Sequence, residues 1–471
     1  MYIHIVSCRR SPCVSTVEYL HAEHALVDGV WRSRVRVGID AAGRIASVDC
    51  DSPAQPDDQR LTQRVLLPAA ANLHSHAFQR AMAGRTEQRH AQRDSFWSWR
   101  TQMYRFVERM TPEDLQAIAA YAYMEMLETG FAAVAEFHYL HHGPEGRPYD
   151  DPGRMSAAII AAASEAGIGL THLPVLYQRG GLADEPVTGG QRRFRSSLDG
   201  YAVLIGQLQS RWREAPADAV LGVAPHSLRA VDADGLTLAA GLLPGAPVHL
   251  HIAEQTAEVE AVQAATGQRP VAYLLDRAEV DARWCLVHAT HLDDAELAGL
   301  ARSGATVGLA PITEANLGDG LFRAAEAADR GQRWGVGSDS NVRIDLPGEL
   351  RTLEYGQRLI ERRRCVLADA QRSTGRWLFD QACAGGAAAL GRDCGRLAVG
   401  QWADLVTLDT GSIDLCATKG DGWLDAWLFG AARPVVAEVW SAGRPVVVAG
   451  RHCRRDALTA AYRQTLQRLT A

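Results

Sequence analysis

Short apolar runs alternate with longer stretches of helical period along most of this chain. Eight such runs occur, in order "RVLLPAAANLHSH", "FAAVAEFHY", "GIGLTHLPVLY", "AVLGVAPHSLR", "PVHLHIAEQ", "WCLVHATHL", "ATVGLAPITEAN" and "RWGVGSDSN". Segments between them read as helices. In "TPEDLQAIAAYAYMEMLETG", Thr111 is the N-cap, Pro112 takes the first helical position, Asp114 closes a capping box and Gly130 stops the helix. The alternation predicts a parallel sheet of the α/β class, and eight repeats is the number that closes a (β/α)8 TIM barrel, here over residues 67–392. Residues 19–66 carry strand-turn-strand patterns around Asp28-Gly29 and Asp40 to Gly43, and residues 393–450 repeat the theme. Both chain ends are therefore predicted to pair into one small β-sandwich domain, followed by a C-terminal amphipathic helix over 451–471. Residues 1–18 read as an extension, either an over-called start or a mobile arm. A long insertion, "HAFQRAMAGRTEQRHAQRDSFWSWRTQMYRF", follows the first run, and a loop of that size at a barrel mouth is more often functional than idle.

Composition narrows the class. The chain has 471 residues, 47% hydrophobic content and a formal net charge of -6, which gives no electrostatic reason to expect nucleic acid or an anionic membrane as partner. No apolar run reaches the roughly 18 residues of a membrane span. Nine scattered cysteines without a Cys-x-x-Cys pair predict a reducing compartment, the cytoplasm, and no disulfide frame. The only lysine is Lys419, so chemistry that needs a lysine within the first 400 residues is excluded.

In a barrel of this kind the site forms where each strand enters its following loop. Those positions are unusually polar here: His74 and His76, then Glu136, His138 and Tyr139, then His226 and Arg229, His251 and Glu254, His288, Glu314, and Asp339. Residues i and i+2 of a strand face the same side, so His74 and His76 can grip one ion. An isolated His-x-His is weak evidence; joined by His251, His288 and Asp339 at later strand ends, it points to a metal centre. His249 lies one pleat deeper and reads as a barrel-interior residue. His141 and His142 read as a solvated loop pair.

The arrangement Pro-x(5)-His-x-His with these later partners resembles the amidohydrolase superfamily over nearly the whole chain after about residue 19. By that resemblance His74, His76, His251 and Asp339 hold one divalent metal, with His288 beside it. Imidazoles with a carboxylate suit zinc, with iron or manganese as alternatives. Many members hold two metals bridged by a carboxylated lysine; Lys419 lies beyond the barrel, so a mononuclear site is expected, with Glu136 as an unusual bridging ligand the alternative. Such an ion lowers the pKa of coordinated water to about 7. Asp339 is placed to accept the water's proton, Glu254 to pass a proton to the leaving nitrogen, and His288 to stabilise the tetrahedral intermediate.

Longer blocks refine the resemblance. "NLHSHAFQRAMAG", "DSFWSWR", "AEFHYLHH", "HSLRAV", "HLHIAEQ", "WCLVHATH", "TEANLGDG", "GSDS" and "LEYGQRL" are together similar to the formimidoylglutamate deiminases of histidine degradation. The resemblance implies a small-molecule substrate, N-formimino-L-glutamate, hydrolysed to N-formyl-L-glutamate and ammonia, and a homodimer. Two carboxylates need fixed cations, and arginine recognises a carboxylate in a planar, bidentate way. Arg229 and Arg100 are the candidates; by the resemblance Gln79 and Tyr139 add neutral donors and His226 lines the pocket. The competing readings are a deaminase of a heterocycle such as guanine or a modified adenosine, which has little use for two arginines, and a non-catalytic scaffold. Departures from the family pattern are the "LPAAANLHSH" lead-in, Pro311 and Ile312 before Thr313-Glu314, and Asn341 where histidine is familiar. They leave room for a related formimino or guanidino acid.

Overall fold

A computed structural model describes residues 17–87, 96–182 and 184–470. Of the N-terminal extension, residues 1–16 lie outside the described residues, as do 88–95 of the insertion.

The chain first builds β1 (Glu18–Val27), β2 (Val30–Ile39), β3 (Ile45–Asp49) and β4 (Gln59–Pro68). After the barrel it returns with β14 (Leu405–Asp409), β15 (Val436–Ser441), β16 (Arg444–Val448) and β17 (Arg451–His452). All eight join in one sheet in the order β17-β16-β15-β14-β4-β1-β2-β3, so β4 pairs with the returning β14 and unites the two chain ends. The sheet curls over its own core: Val37, Ile39, Ile45, Leu61, Leu405 and Trp440, drawn from strands far apart in that order, form one buried cluster. The terminal helix runs Arg455–Thr470, starting after the two residues of β17.

The barrel strands are β5 (Ala70–Ser75), β6 (Phe131–His138), β7 (Gly169–Leu176), the two short pieces β8 (Val220–Leu221) and β9 (Ala224–Pro225), β10 (Val248–Ile252), β11 (Trp284–His288), β12 (Thr306–Leu309) and β13 (Trp334–Val336). The eight apolar runs thus each supply one position in the barrel. β5 through β9 and β10 through β13 form two parallel sheets, joined at the seams by bridges Ser75 to Asp339 and Val223 to Val248. Every residue of β6 and β7 is buried, as expected of parallel strands covered on both faces. The fourth run breaks into two pieces at Gly222, where a Cβ would lie 2.7 Å from the Pro247 carbonyl oxygen. The helix Pro112–Glu128 starts as the sequence predicts: Thr111 and Asp114 exchange side-chain to backbone hydrogen bonds at 2.8 and 3.2 Å. The helix Thr374–Leu390 packs so closely on β13 that a Cβ on Gly385 would strike the Trp334 carbonyl. No helix among the described residues is long and apolar enough to cross a membrane.

Barrel and sheet are tied by a buried ion network. Arg392, fully buried, donates to Asp404 at 2.7 Å and to Asp218 at 3.0 Å, and Arg444 donates to Asp218 at 2.8 Å. Arg392→Met would leave carboxylates buried without their central cation, a loss of about 3–5 kcal/mol. A clearly lower urea midpoint is the expected result; an unchanged midpoint would show that the network is dispensable.

Candidate active site

β5 delivers His74, and His76 follows one residue beyond its end on the same side. Asp339 lies three residues past β13 in a left-handed backbone (φ 43°). The two segments lock together: Asp339 N donates to His74 O at 2.9 Å and His76 N donates to Asp339 O at 2.8 Å. Asn341, the departure flagged in the sequence, stitches the same corner by donating to Ser75 Oγ at 3.1 Å and to the His76 carbonyl at 3.0 Å.

His74, His76, His251 and Asp339 are all buried, and one donor atom from each lies within 4.8 Å of all the others. His74 Nε2 is 3.3 Å from His76 Nε2 and 3.0 Å from His251 Nε2, and Asp339 Oδ1 is 3.2 Å from His76 Nε2 and 3.4 Å from His74 Nε2. Bonds of about 2.0 Å to a tetrahedral ion place its ligands roughly 3.3 Å apart, so these separations match the edges of such a tetrahedron. The tautomers agree. His76 Nδ1 lies 3.0 Å from the Phe137 carbonyl and His251 Nδ1 3.2 Å from the His226 carbonyl. A carbonyl only accepts, so each Nδ1 carries the proton and each Nε2 turns a lone pair inward. Burial pushes all three histidines down, His74 to about 3, so they are neutral as ligands must be. Burial alone would raise the Asp339 carboxyl, but the hydrogen bond with His74 and the nearby His288 outweigh it and lower it. The donor set therefore fits a single divalent cation.

Beside this centre stand His288 and Glu254. His288 Nε2 is 3.8 Å from Glu254 Oε1 and 4.0 Å from Asp339 Oδ2, while its Nδ1 is 3.2 Å from Glu314 Oε1. Burial opposes charge on this imidazole, but Glu254, Glu314 and Asp339 prevail and raise it to about 10. Burial likewise raises the Glu254 carboxyl. Ala253 (φ 52°) and His288 (φ 68°) sit in the left-handed region that non-glycine residues hold only when their surroundings fix them, as at functional sites. Glu314 arrives from the first turn of the helix Pro311–Leu317, so the departure at Pro311 is a helix start.

The remaining predicted residues line one cavity with His76, His251, Glu254, His288 and Asp339: Gln79, Arg100, Tyr139, His226 and Arg229. Gln79 donates to the Tyr139 hydroxyl at 2.8 Å. Arg100 comes from the insertion helix Phe96–Val107, donating to the hydroxyls of Tyr104 and, at 3.2 Å, Tyr177. Arg229 Nη2 lies 3.7 Å from Glu254 Oε2.

Several residues stand elsewhere than the sequence suggested. On β6 it is Phe137 that faces the centre, with its ring 4.4 Å from that of His251 and 5.1 Å from that of His74. Strand alternation turns Glu136 and His138 away. Glu136, raised to about 8 by burial, accepts the Ala77 N–H at 2.7 Å and stands outside the four-residue donor set, so the bridging alternative has no support here. His141 is buried rather than solvated, bonded to the Val175 carbonyl at 2.8 Å, because the loop tucks beneath the segment around Arg193. His249, by contrast, is where the sequence put it, bonded to the Ala389 carbonyl at 2.8 Å inside the barrel. Tyr104 and Leu317, from the helices Phe96–Val107 and Pro311–Leu317, and Tyr177 and Phe194 also line the cavity without having been singled out, since aromatic and apolar residues read in the sequence as ordinary core.

A buried three-histidine, one-aspartate centre at the mouth of a (β/α)8 barrel defines a class. Residues 65–446 match the profile of the amidohydrolase family, and the chain belongs to that family. Residues 17–62 match the N-terminal domain of formimidoylglutamate deiminase HutF. Over 456 residues the chain is 48% identical to formimidoylglutamate deiminase from Pseudomonas aeruginosa, covering 96% of this chain and 99% of that protein. A 5-methylthioadenosine/S-adenosylhomocysteine deaminase from Natronomonas pharaonis is 29% identical over 362 residues, 73% of each chain. Among solved structures, an amidohydrolase from Brucella melitensis superposes with a TM-score of 0.92 at 49% identity, covering 96% of this chain and 100% of that one. A zinc-bound adenosine deaminase from Xanthomonas campestris, at 24% identity, TM-score 0.79 and coverage of 96% and 98%, shares the fold.

Proposed function

We infer that this chain is a formimidoylglutamate deiminase, a hydrolase that converts N-formimino-L-glutamate to N-formyl-L-glutamate and ammonia in histidine degradation. The observation that carries the substrate is the placing of two arginines, Arg100 and Arg229, in the same cavity as the metal-ligand set, Glu254 and His288. An uncharged heterocycle has no use for that pair; a diacid does.

Bound at His74, His76, His251 and Asp339, a divalent ion supplies Lewis-acid activation of water near neutral pH. Three imidazoles and a carboxylate favour zinc for this role. The protein's own groups do the rest. Arg229 anchors one substrate carboxylate, and Arg100, held by two tyrosine hydroxyls, covers the other. Gln79, Tyr139 and His226 orient the formimino group. Asp339 accepts the proton of the attacking water. Glu254, whose carboxyl retains a proton more readily through burial, delivers one to the terminal nitrogen and makes ammonia the leaving group. His288, its ring fixed by Glu314 and standing 4.0 Å from Asp339, stabilises negative charge on the tetrahedral carbon's oxygen. A cytoplasmic location and a homodimeric assembly belong to the same reading; the scattered cysteines without a Cys-x-x-Cys pair support the first, family resemblance the second.

Product analysis tests the reading: N-formyl-L-glutamate and ammonia are expected in equal amounts. Free glutamate with formamide, or faster turnover of guanine, would show that the bond or the substrate is wrong. Arg229→Ala removes a charge-assisted hydrogen bond worth roughly 1.5–3 kcal/mol, so kcat/KM is expected to fall on the order of tenfold to a hundredfold. An unchanged kcat/KM would remove Arg229 from substrate binding.

A further inference from the structure

We propose that Glu258 is a positioning residue that sets both the carboxylate-binding Arg229 and the proton-transferring Glu254. The inference rests on the roles given to those two residues above. Glu258 lies in the first turn of the helix Thr256–Thr266 and is only 1% exposed. Its carboxylate reaches back beyond the start of its own helix: Oε1 accepts the Ala253 N–H at 3.3 Å and Oε2 accepts the Glu254 N–H at 3.1 Å. The N-cap residue, Gln255, contributes no side-chain cap, so these two bonds pin the helix start to the end of β10.

The pinned corner is the one that aims Glu254. β10 ends at Ile252, and Ala253 then takes a left-handed conformation (φ 52°), which redirects the chain within three residues of His251. A non-glycine residue keeps that conformation only where its surroundings hold it, and here a buried carboxylate takes both N–H groups of the bend. The same Oε2 lies 4.0 Å from Arg229 Nε, while Arg229 Nη2 lies 3.7 Å from Glu254 Oε2. Arg229 thus lies at ion-pair distance from two carboxylates, one on the helix and one in the cavity. The carboxylate behind its Nε balances the guanidinium from outside the cavity and keeps its Nη face turned inward. With that charge removed, Arg229 is drawn towards Glu254, so the substrate carboxylate loses its anchor and the acid is pulled from the leaving nitrogen. One side chain therefore couples recognition to proton transfer.

Glu258→Gln in the full, metal-loaded chain tests this. The amide has one acceptor oxygen where the carboxylate uses two, and it lacks the charge. Metal content near one ion per chain is expected, with KM for N-formimino-L-glutamate raised and kcat lowered, each on the order of tenfold. A purely structural role would lower stability but leave KM unchanged. Glu258→Asp keeps the charge on a shorter arm and serves if the amide variant does not fold; partial recovery of KM is expected. In the Arg229→Ala background, adding Glu258→Gln is expected to change KM by less than about twofold, because residues acting through one another are not additive. Wild-type KM and kcat in a folded Glu258 variant, or KM effects that simply multiply in the double variant, would overturn the proposal. Calorimetric binding of glutarate reads the arginine without turnover: weaker binding in Glu258→Gln supports the proposal, equal binding overturns it. Wild-type protein that binds glutarate but does not turn over N-formimino-L-glutamate counts against the reaction above and leaves the glutarate comparison to decide Glu258. A wild-type chain that does neither sinks both.

Discussion

Glu254→Gln is expected to lower kcat by roughly a hundredfold to ten-thousandfold, the usual contribution of a positioned acid or base. Metal content should stay near one ion per chain. The two expectations separate because Glu254 is outside the donor set: its carboxylate lies 3.8 Å from His288 and 3.7 Å from Arg229, and the four ligands converge without it. Glutamine preserves length and planarity, so the Glu254 N–H keeps its bond to Glu258 and the bend at Ala253 is undisturbed. What disappears is a group that can hold and release a proton beside the substrate nitrogen. KM is expected to change far less than kcat, although the loss of one of the two carboxylates beside Arg229 also shifts it. Steady-state kinetics with metal analysis on the same preparation provides the check. A loss in kcat below about threefold in folded protein would remove Glu254 from the proton path.

Periodicity made the barrel readable before any coordinates. Eight apolar runs became eight barrel positions, and the capping box at Thr111 and Asp114 formed as written, because strand burial and helix capping are local properties. The ligand set was readable in part: strand alternation pairs His74 with His76, while the family resemblance picked His251 and Asp339 out of the other polar strand ends. Strand β6 was harder. A strand buried on both faces has no polar side to reveal which residues point inward, so the polar Glu136 and His138 were singled out and Phe137 was passed over. Pro311 followed by Glu314 does carry a helix-start signal, which could have placed Glu314 behind His288. Nothing local could have shown that Glu258 lies beside Arg229, because that ion pair joins the turn after β9 to the helix after β10. The buried state of His141 also depends on a distant partner, the Arg193 segment that accepts its backbone N–H at 3.0 Å.

The metal centre yields the other large effect. His76→Ala is expected to leave the dialysed protein with far less than one ion per chain and to abolish most activity, whereas the parent is expected to retain one divalent ion. His76 Nε2 converges with the other three donors, 3.3 Å from His74 and 3.2 Å from Asp339, and its ring is fixed by the Phe137 carbonyl. Losing it should weaken binding by more than the roughly 10- to 100-fold that loss of an outer partner costs. Asn341→Ala supplies that comparison, since Asn341 holds the His76 carbonyl at 3.0 Å and the Asp339 carbonyl at 3.1 Å without being a ligand. The expected order of metal retention is therefore parent, then Asn341→Ala, then His76→Ala. Glu136→Gln should retain the parent's stoichiometry, because its carboxylate serves the Ala77 N–H on the far side of β6. Full metal retention in His76→Ala would remove that residue from the centre. Two tightly held ions in the parent, falling to one in Glu136→Gln, would restore the bridged arrangement and replace the mononuclear one.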